Sequence, residues 1–180
     1  GFIQGDQYGN LNPDKSISRA EFATIIVKAL NLQLPDTVEE GTIKSFHDVS
    51  INNWFYNEVS VATYYGLIKG DDYGNFNPND LVTREEIAVM LHRAVQHLQY
   101  DSIKLQLNFP DNADISSWAL EPIQYILSNS LMNGRGDGTF GPKLSSSRAE
   151  AVTVVRRLLE IDPENPIKVG TIEKVIEYPS

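Results

Sequence analysis

Cysteine is absent from all 180 residues, so neither a disulfide frame nor a thiolate-bound metal is available. Histidine is scarce as well: His47, His92 and His97 stand alone, and no metal site or catalytic imidazole is expected from them. Basic residues number 15 against 24 acidic ones, and the net charge of -9 argues against nucleic acid or an anionic membrane as general partners. A local cationic site stays open under that balance. No apolar run reaches the length that crosses a membrane, and no signal peptide opens the chain, which begins in the middle of a repeat as a piece of something longer does. No nucleophile elbow, phosphate-binding loop or paired-carboxylate arrangement stands out, so the expectation is a non-enzyme without cofactor.

What is present is repetition. Gly66-Leu67-Ile68-Lys69-Gly70 runs on through Gly74, Phe76 and Pro78 to Leu81-Val82-Thr83-Arg84-Glu85-Glu86. The same order appears from Gly1 to Pro13 with Ser18-Arg19-Ala20-Glu21, and from Leu131 through Gly134, Phe140 and Pro142 to Ser147-Arg148-Ala149-Glu150. Arg19 and Arg84 are 65 positions apart, Arg84 and Arg148 64, so one insertion or deletion separates the copies. The second and third copies also carry an earlier half, Phe46-His47-Asp48 with Trp54 and Phe109-Pro110-Asp111 with Trp118, which the first lacks. The chain therefore divides into units at 1–32, 44–98 and 107–161 and an extended tail or weak strand at 162–180.

Phe55, Val59, Ala62 and Gly66, matched by Ala119, Ile123, Ile126 and Ser130, predict a short helix with one apolar stripe in each earlier half. Gly66 and Gly70 suit positive φ at its end, and the turn that follows should tuck Leu11, Phe76 or Phe140 inwards. Phe22, Ile25, Ile26, Ala29 and Leu30 recur as Ile87, Met90, Leu91, Ala94 and Val95 and as Ala151, Val154, Val155, Leu158 and Leu159. That spacing predicts three equivalent helices burying their apolar faces together.

Ser18 with Glu21, Thr83 with Glu86 and Ser147 with Glu150 are capping boxes that start those helices. Arg19, Arg84 and Arg148 then fall at the first helical position, where the macrodipole disfavours a cation by roughly 0.3–1 kcal/mol unless an anion meets it. Two partners fit: an internal carboxylate, Asp48 or Asp111, or an external carboxylate or phosphate held by the guanidinium and helix-terminal N–H groups. Trp54 and Trp118 are either core plugs or platforms under a sugar ring, and Tyr8 and Tyr73 pack the turn or wall a groove. A calcium loop fails because Tyr73 and Tyr8 occupy a ligand position and no bidentate Glu closes the loop.

Taken together, these ordered motifs resemble the S-layer homology module, three in tandem with the first incomplete, over roughly residues 1–161. The resemblance implies an all-α fold, three helix-loop-helix repeats packed as a pseudo-threefold spindle around a central three-helix bundle. It also implies secretion to the cell wall or S-layer of a Gram-positive bacterium, and non-covalent anchoring to secondary cell-wall polysaccharide of the pyruvylated N-acetylmannosamine type. Carried onto this sequence, Arg19, Arg84 and Arg148 meet the ketal carboxylate, and Trp54 and Trp118 supply aromatic contacts. Gly5, Gly70 and Gly134 let backbone amides approach sugar oxygens, and Asp48 and Asp111 belong to the same site. Glu85 stands where Ala is usual and adds negative charge beside Arg84. The first module has no such half, so the groove that needs it is complete only if the tail at 163–180 or another chain supplies it, through self-association or exchange of a strand or helix. The alternative reading is a protein–protein assembly module of a surface layer with structural Arg–Asp pairs.

Overall fold

The computed structural model describes residues 12–97 and 105–161. The expected tail at 162–180 and the positions of Gly5, Tyr8 and Leu11 lie outside those residues. Five α-helices follow one another among the described residues: α1 Arg19–Ala29, α2 Tyr56–Tyr64, α3 Arg84–His97, α4 Leu120–Ser128 and α5 Arg148–Leu159, with one 3-10 turn at Asn112–Asp114. Extended pairing among the described residues is limited to three isolated β-bridges, so the protein is all-α.

Local chemistry sets the helix starts as the sequence predicts. The hydroxyls of Ser18, Thr83 and Ser147 accept the N–H groups of Glu21, Glu86 and Glu150 at 3.2, 3.4 and 3.2 Å. Each glutamate reaches back with one carboxylate oxygen to the N–H of its own cap residue, at 2.8 Å in all three. The apolar stripes converge on one core that includes Phe22, Ile26, Ile87, Leu91, Ala151 and Val155, with Phe76 and Phe140 fully buried from the turns. Gly66 takes φ 68°, as expected at a helix end. Gly70 does not adopt positive φ; it is required because a Cβ there would lie 2.5 Å from the Asn75 carbonyl oxygen and 2.6 Å from the Phe46 ring.

The helices pack in a staggered way. α5 lies against both α1 and α3, while α2 covers α1 and α4 covers α3, so each earlier-half helix packs on the later-half helix of the preceding unit. His92 of α3 is buried against Tyr125 of α4, with ring centroids 4.9 Å apart, and burial pulls its pKa below the ordinary imidazole value. One repeat on, Arg156 of α5 is exposed, and α5 has no such outer helix among the described residues.

Three backbone hydrogen bonds join the repeats end to end. Ile17 donates to the Ser146 carbonyl, Ser146 to the Val82 carbonyl and Val82 to the Ile17 carbonyl, each at 3.0 Å. The ring is closed, and its three residues are at most 1% exposed. Outside it, the first N–H of each major helix donates to a turn carbonyl of the next unit: Arg19 to Asp80, Arg84 to Leu144 and Arg148 to Lys15, all at 2.9 Å. The second N–H does the same with the carbonyls of Pro78, Pro142 and Pro13 at 3.0, 3.1 and 2.9 Å.

The turns are held from the earlier halves, though not by the expected Arg–Asp pairs. Asp48 accepts the N–H groups of Phe76 and Asn77 at 2.8 and 2.7 Å, and Asp111 those of Phe140 and Gly141 at 2.9 and 2.7 Å. A carboxylate has two oxygens and each now serves one turn amide, so the aspartates join the halves of a unit through backbone. The internal partner of each arginine is instead a capping-box glutamate: Arg19 pairs with Glu86, Arg84 with Glu150 at 3.2 Å and Arg148 with Glu21 at 3.3 Å.

Two stability outcomes follow. Arg84→Ala strands the Phe140 and Asn133 carbonyls and one Glu150 oxygen, and chemical denaturation should register a loss of about 2–3 kcal/mol. The Ser146 hydroxyl is buried with no hydrogen-bond partner where the other units place Ile17 and Val82. Ser146→Ala should therefore raise stability by about 1 kcal/mol in the same assay.

Candidate functional site

The three cap arginines carry the folding load first. Arg84 is only 6% exposed; its Nε donates to the Phe140 carbonyl at 2.8 Å and its Nη2 to the Asn133 carbonyl at 2.8 Å, with the guanidinium 5.1 Å from the Phe140 ring centroid. Burial is the largest influence on its pKa and lowers it from the ordinary arginine value, with Glu150 opposing that shift. Arg19 repeats the arrangement on the Phe76 carbonyl at 2.9 Å and the Phe76 ring at 5.1 Å. The helix-terminal N–H groups on which an external anion would rely are engaged as well, the first two by turn carbonyls and the third by the cap hydroxyl.

Glu85 is likewise an internal group. Its side chain is 4% exposed, lies 2.6 Å from Lys143 Nζ, and accepts from the Ser116 N–H and hydroxyl at 3.1 Å each. Its charge is thus matched by Lys143 instead of opposing Arg84, and it ties the segment that leads to Trp118 onto α3.

Trp118 and Trp54 are 55% and 65% exposed, which rules out the core-plug reading for both. Trp54 meets Phe55 edge to face, with centroids 5.2 Å apart. Trp118 borders a groove of about 640 Å³ whose other walls are Arg19 at the start of α1, the turn from Lys69 to Leu81, and α3 with Thr83, Glu86, Met90 and Arg93. Gly70 lies in the groove wall, and Gly134 occupies the corresponding turn of the third unit. Tyr73 is 82% exposed and borders an adjoining cavity of about 760 Å³ with Lys44 and Phe46, on the other side of the Lys69–Asp72 turn, so it does not pack its turn.

The charges around the groove are unequally committed. Glu86 serves Arg19 and its own cap. Asp71 holds its turn through the N–H groups of Tyr73 and Asn75 at 3.0 and 2.8 Å and the Asn77 amide at 3.0 Å, bonds that keep its pKa below the usual carboxylate value, with the Asn75 N–H the largest cause. Lys69, Asp72 and Asp80 are exposed. Arg93 is half-buried and, among the described residues, donates only to the Leu67 carbonyl, at 3.4 Å. Sequence reasoning passed over Arg93 and Lys69. A signal was present: a cation stands nine positions after each cap arginine, at Lys28, Arg93 and Arg157.

The arrangement offers an exposed indole face, an under-used guanidinium, an ammonium and carboxylate acceptors in one groove. Such a set suits a ligand with apolar ring faces, hydroxyls and an acid.

The S-layer homology domain family model matches residues 1–23, 45–88 and 108–152. The chain is 32% identical over 160 residues to an amylopullulanase of Thermoanaerobacterium thermosulfurigenes, covering 88% of this chain and 8% of that protein. It is 32% identical over 178 residues to the surface-layer 125 kDa protein of Lysinibacillus sphaericus, covering 97% and 14%. It is 30% identical over 169 residues to a cellulosome-anchoring protein of Acetivibrio thermocellus, covering 91% and 36%. The chain thus spans only a minor part of each of these relatives. On the threefold match to its repeats, the chain belongs to the S-layer homology domain family.

Proposed function

We propose that the chain is a non-catalytic anchoring module that attaches an exported protein to the cell wall by binding an acidic, pyruvylated secondary polysaccharide. The observation that carries this reading is the groove between α1, the Lys69–Leu81 turn, α3 and Trp118. Trp118 gives a sugar ring an apolar wall, the exposed Asp72 and Asp80 accept from sugar hydroxyls, and the cationic groups answer the pyruvyl acid. Relatives named as surface-layer and cellulosome-anchoring proteins support cell-surface attachment. Their total length supports the view that a module of this kind is joined to other domains. Several grooves on one polymer would add avidity, so a single weakened site costs less on whole walls than on a short saccharide.

Trp118→Ala should weaken binding of a pyruvylated N-acetylmannosamine saccharide about ten- to thirtyfold, measured by calorimetric titration, while leaving helical circular dichroism unchanged. Walls stripped of their secondary polymer should no longer sediment the protein. Undiminished sedimentation with stripped walls would instead favour assembly of a surface layer through protein contacts.

A further inference from the structure

Resting on the reading that the groove holds an acid-bearing saccharide, we infer that the acid is met by Arg93 of α3 and not by Arg19. Every nitrogen of the Arg19 guanidinium already has a partner: Nε the Phe76 carbonyl at 2.9 Å, Nη1 Glu86, and Nη2 the Lys69 carbonyl at 3.4 Å. Pulling Arg19 toward a ligand would break its pair with Glu86, the side-chain link that joins the first and second repeats beside their backbone bonds. Arg93 lines the same groove and has no such duty. A guanidinium carries five N–H donors in a rigid fork, and Arg93 spends one, at 3.4 Å on the Leu67 carbonyl. No carboxylate pairs with it among the described residues.

Its setting is costly without a ligand. Burial and then repulsion by Arg19 both hold its pKa below the ordinary arginine value. A ligand carboxylate would offset both effects, because the fork offers two parallel N–H donors that match carboxylate geometry. The nearby protein carboxylates are otherwise placed: Glu86 on Arg19 and the Thr83 N–H, Asp71 on its own turn, and Asp72 and Asp80 exposed. The corresponding cations differ in their surroundings. Lys28 is 3.4 Å from Glu58, and Arg157 donates to the Leu131 carbonyl at 3.5 Å. Arg93 is therefore assigned as the group that makes this groove prefer an acid, beside the aromatic wall that takes the sugar ring.

The test uses the methyl glycoside of pyruvylated N-acetylmannosamine and its methyl ester, titrated against the full chain carrying Trp54→Phe so that Trp118 reports fluorescence. The parent should bind the acid more tightly than the ester. Arg93→Gln should weaken the acid about ten- to a hundredfold and leave the ester within about twofold, with a denaturation midpoint no lower than the parent's, while Arg93→Lys falls between. Arg19→Gln should lower the midpoint, since it breaks an inter-repeat pair. If Arg93→Gln binds the acid as tightly as a parent that still discriminates acid from ester, the assignment is overturned and the groove stands. If the parent binds neither compound, or calorimetry shows binding that leaves Trp118 fluorescence unchanged, the groove reading falls and the assignment with it.

Discussion

The closed set of contacts between repeats is the constraint from which the rest of the structure follows. A cation at the first position of a helix works against the helix dipole, and here that position is arginine three times. Each guanidinium is balanced by the capping-box glutamate of the next unit, and each glutamate uses its second oxygen on its own cap N–H. A single carboxylate thus starts one helix and receives the arginine of another. The Ile17–Ser146–Val82 backbone ring lies inside these pairs. Open repeat proteins add units to a free end, whereas these three close on one another, so the short first repeat supplies the Pro13 and Lys15 carbonyls that receive the first N–H groups of α5.

That closure divides the arginines by task. Groups that look like anion ligands when the chain is read as a string are consumed in folding, and the first-turn N–H groups with them. In the proposed function, binding falls to side chains displaced from the ring and lining the groove: Trp118 before α4, Lys69 on the turn and Arg93 in the second half of α3. Glu85 connects the two tasks, since a buried carboxylate balanced by Lys143 fastens Ser116 and with it the approach to Trp118.

Much of the fold was legible because it is written in short-range patterns. Helical spacing in Phe22–Leu30 and its two counterparts, the capping boxes, and the Gly-rich turns with buried Phe76 and Phe140 each need only neighbouring residues. The partners of charged groups were not legible, because they lie far along the chain. Arg19 and Glu86 are 67 residues apart, and Arg148 and Glu21 127. The same distance effect reassigned Asp48 and Asp111 from arginine to turn amides, and Glu85 from an electrostatic liability to a loop anchor. Arg93 is hard to single out in the sequence because a cation on a helix flank ordinarily reads as solvated surface; only its threefold recurrence with Lys28 and Arg157 marks the position.

The most direct measurement is a crystal structure of the chain with a pyruvylated N-acetylmannosamine saccharide. The account predicts the sugar ring over Trp118, the acid oxygens within hydrogen-bond distance of the Arg93 guanidinium, and the Arg19–Glu86, Arg84–Glu150 and Arg148–Glu21 pairs intact. An acid seated on a cap arginine with its glutamate displaced would contradict it.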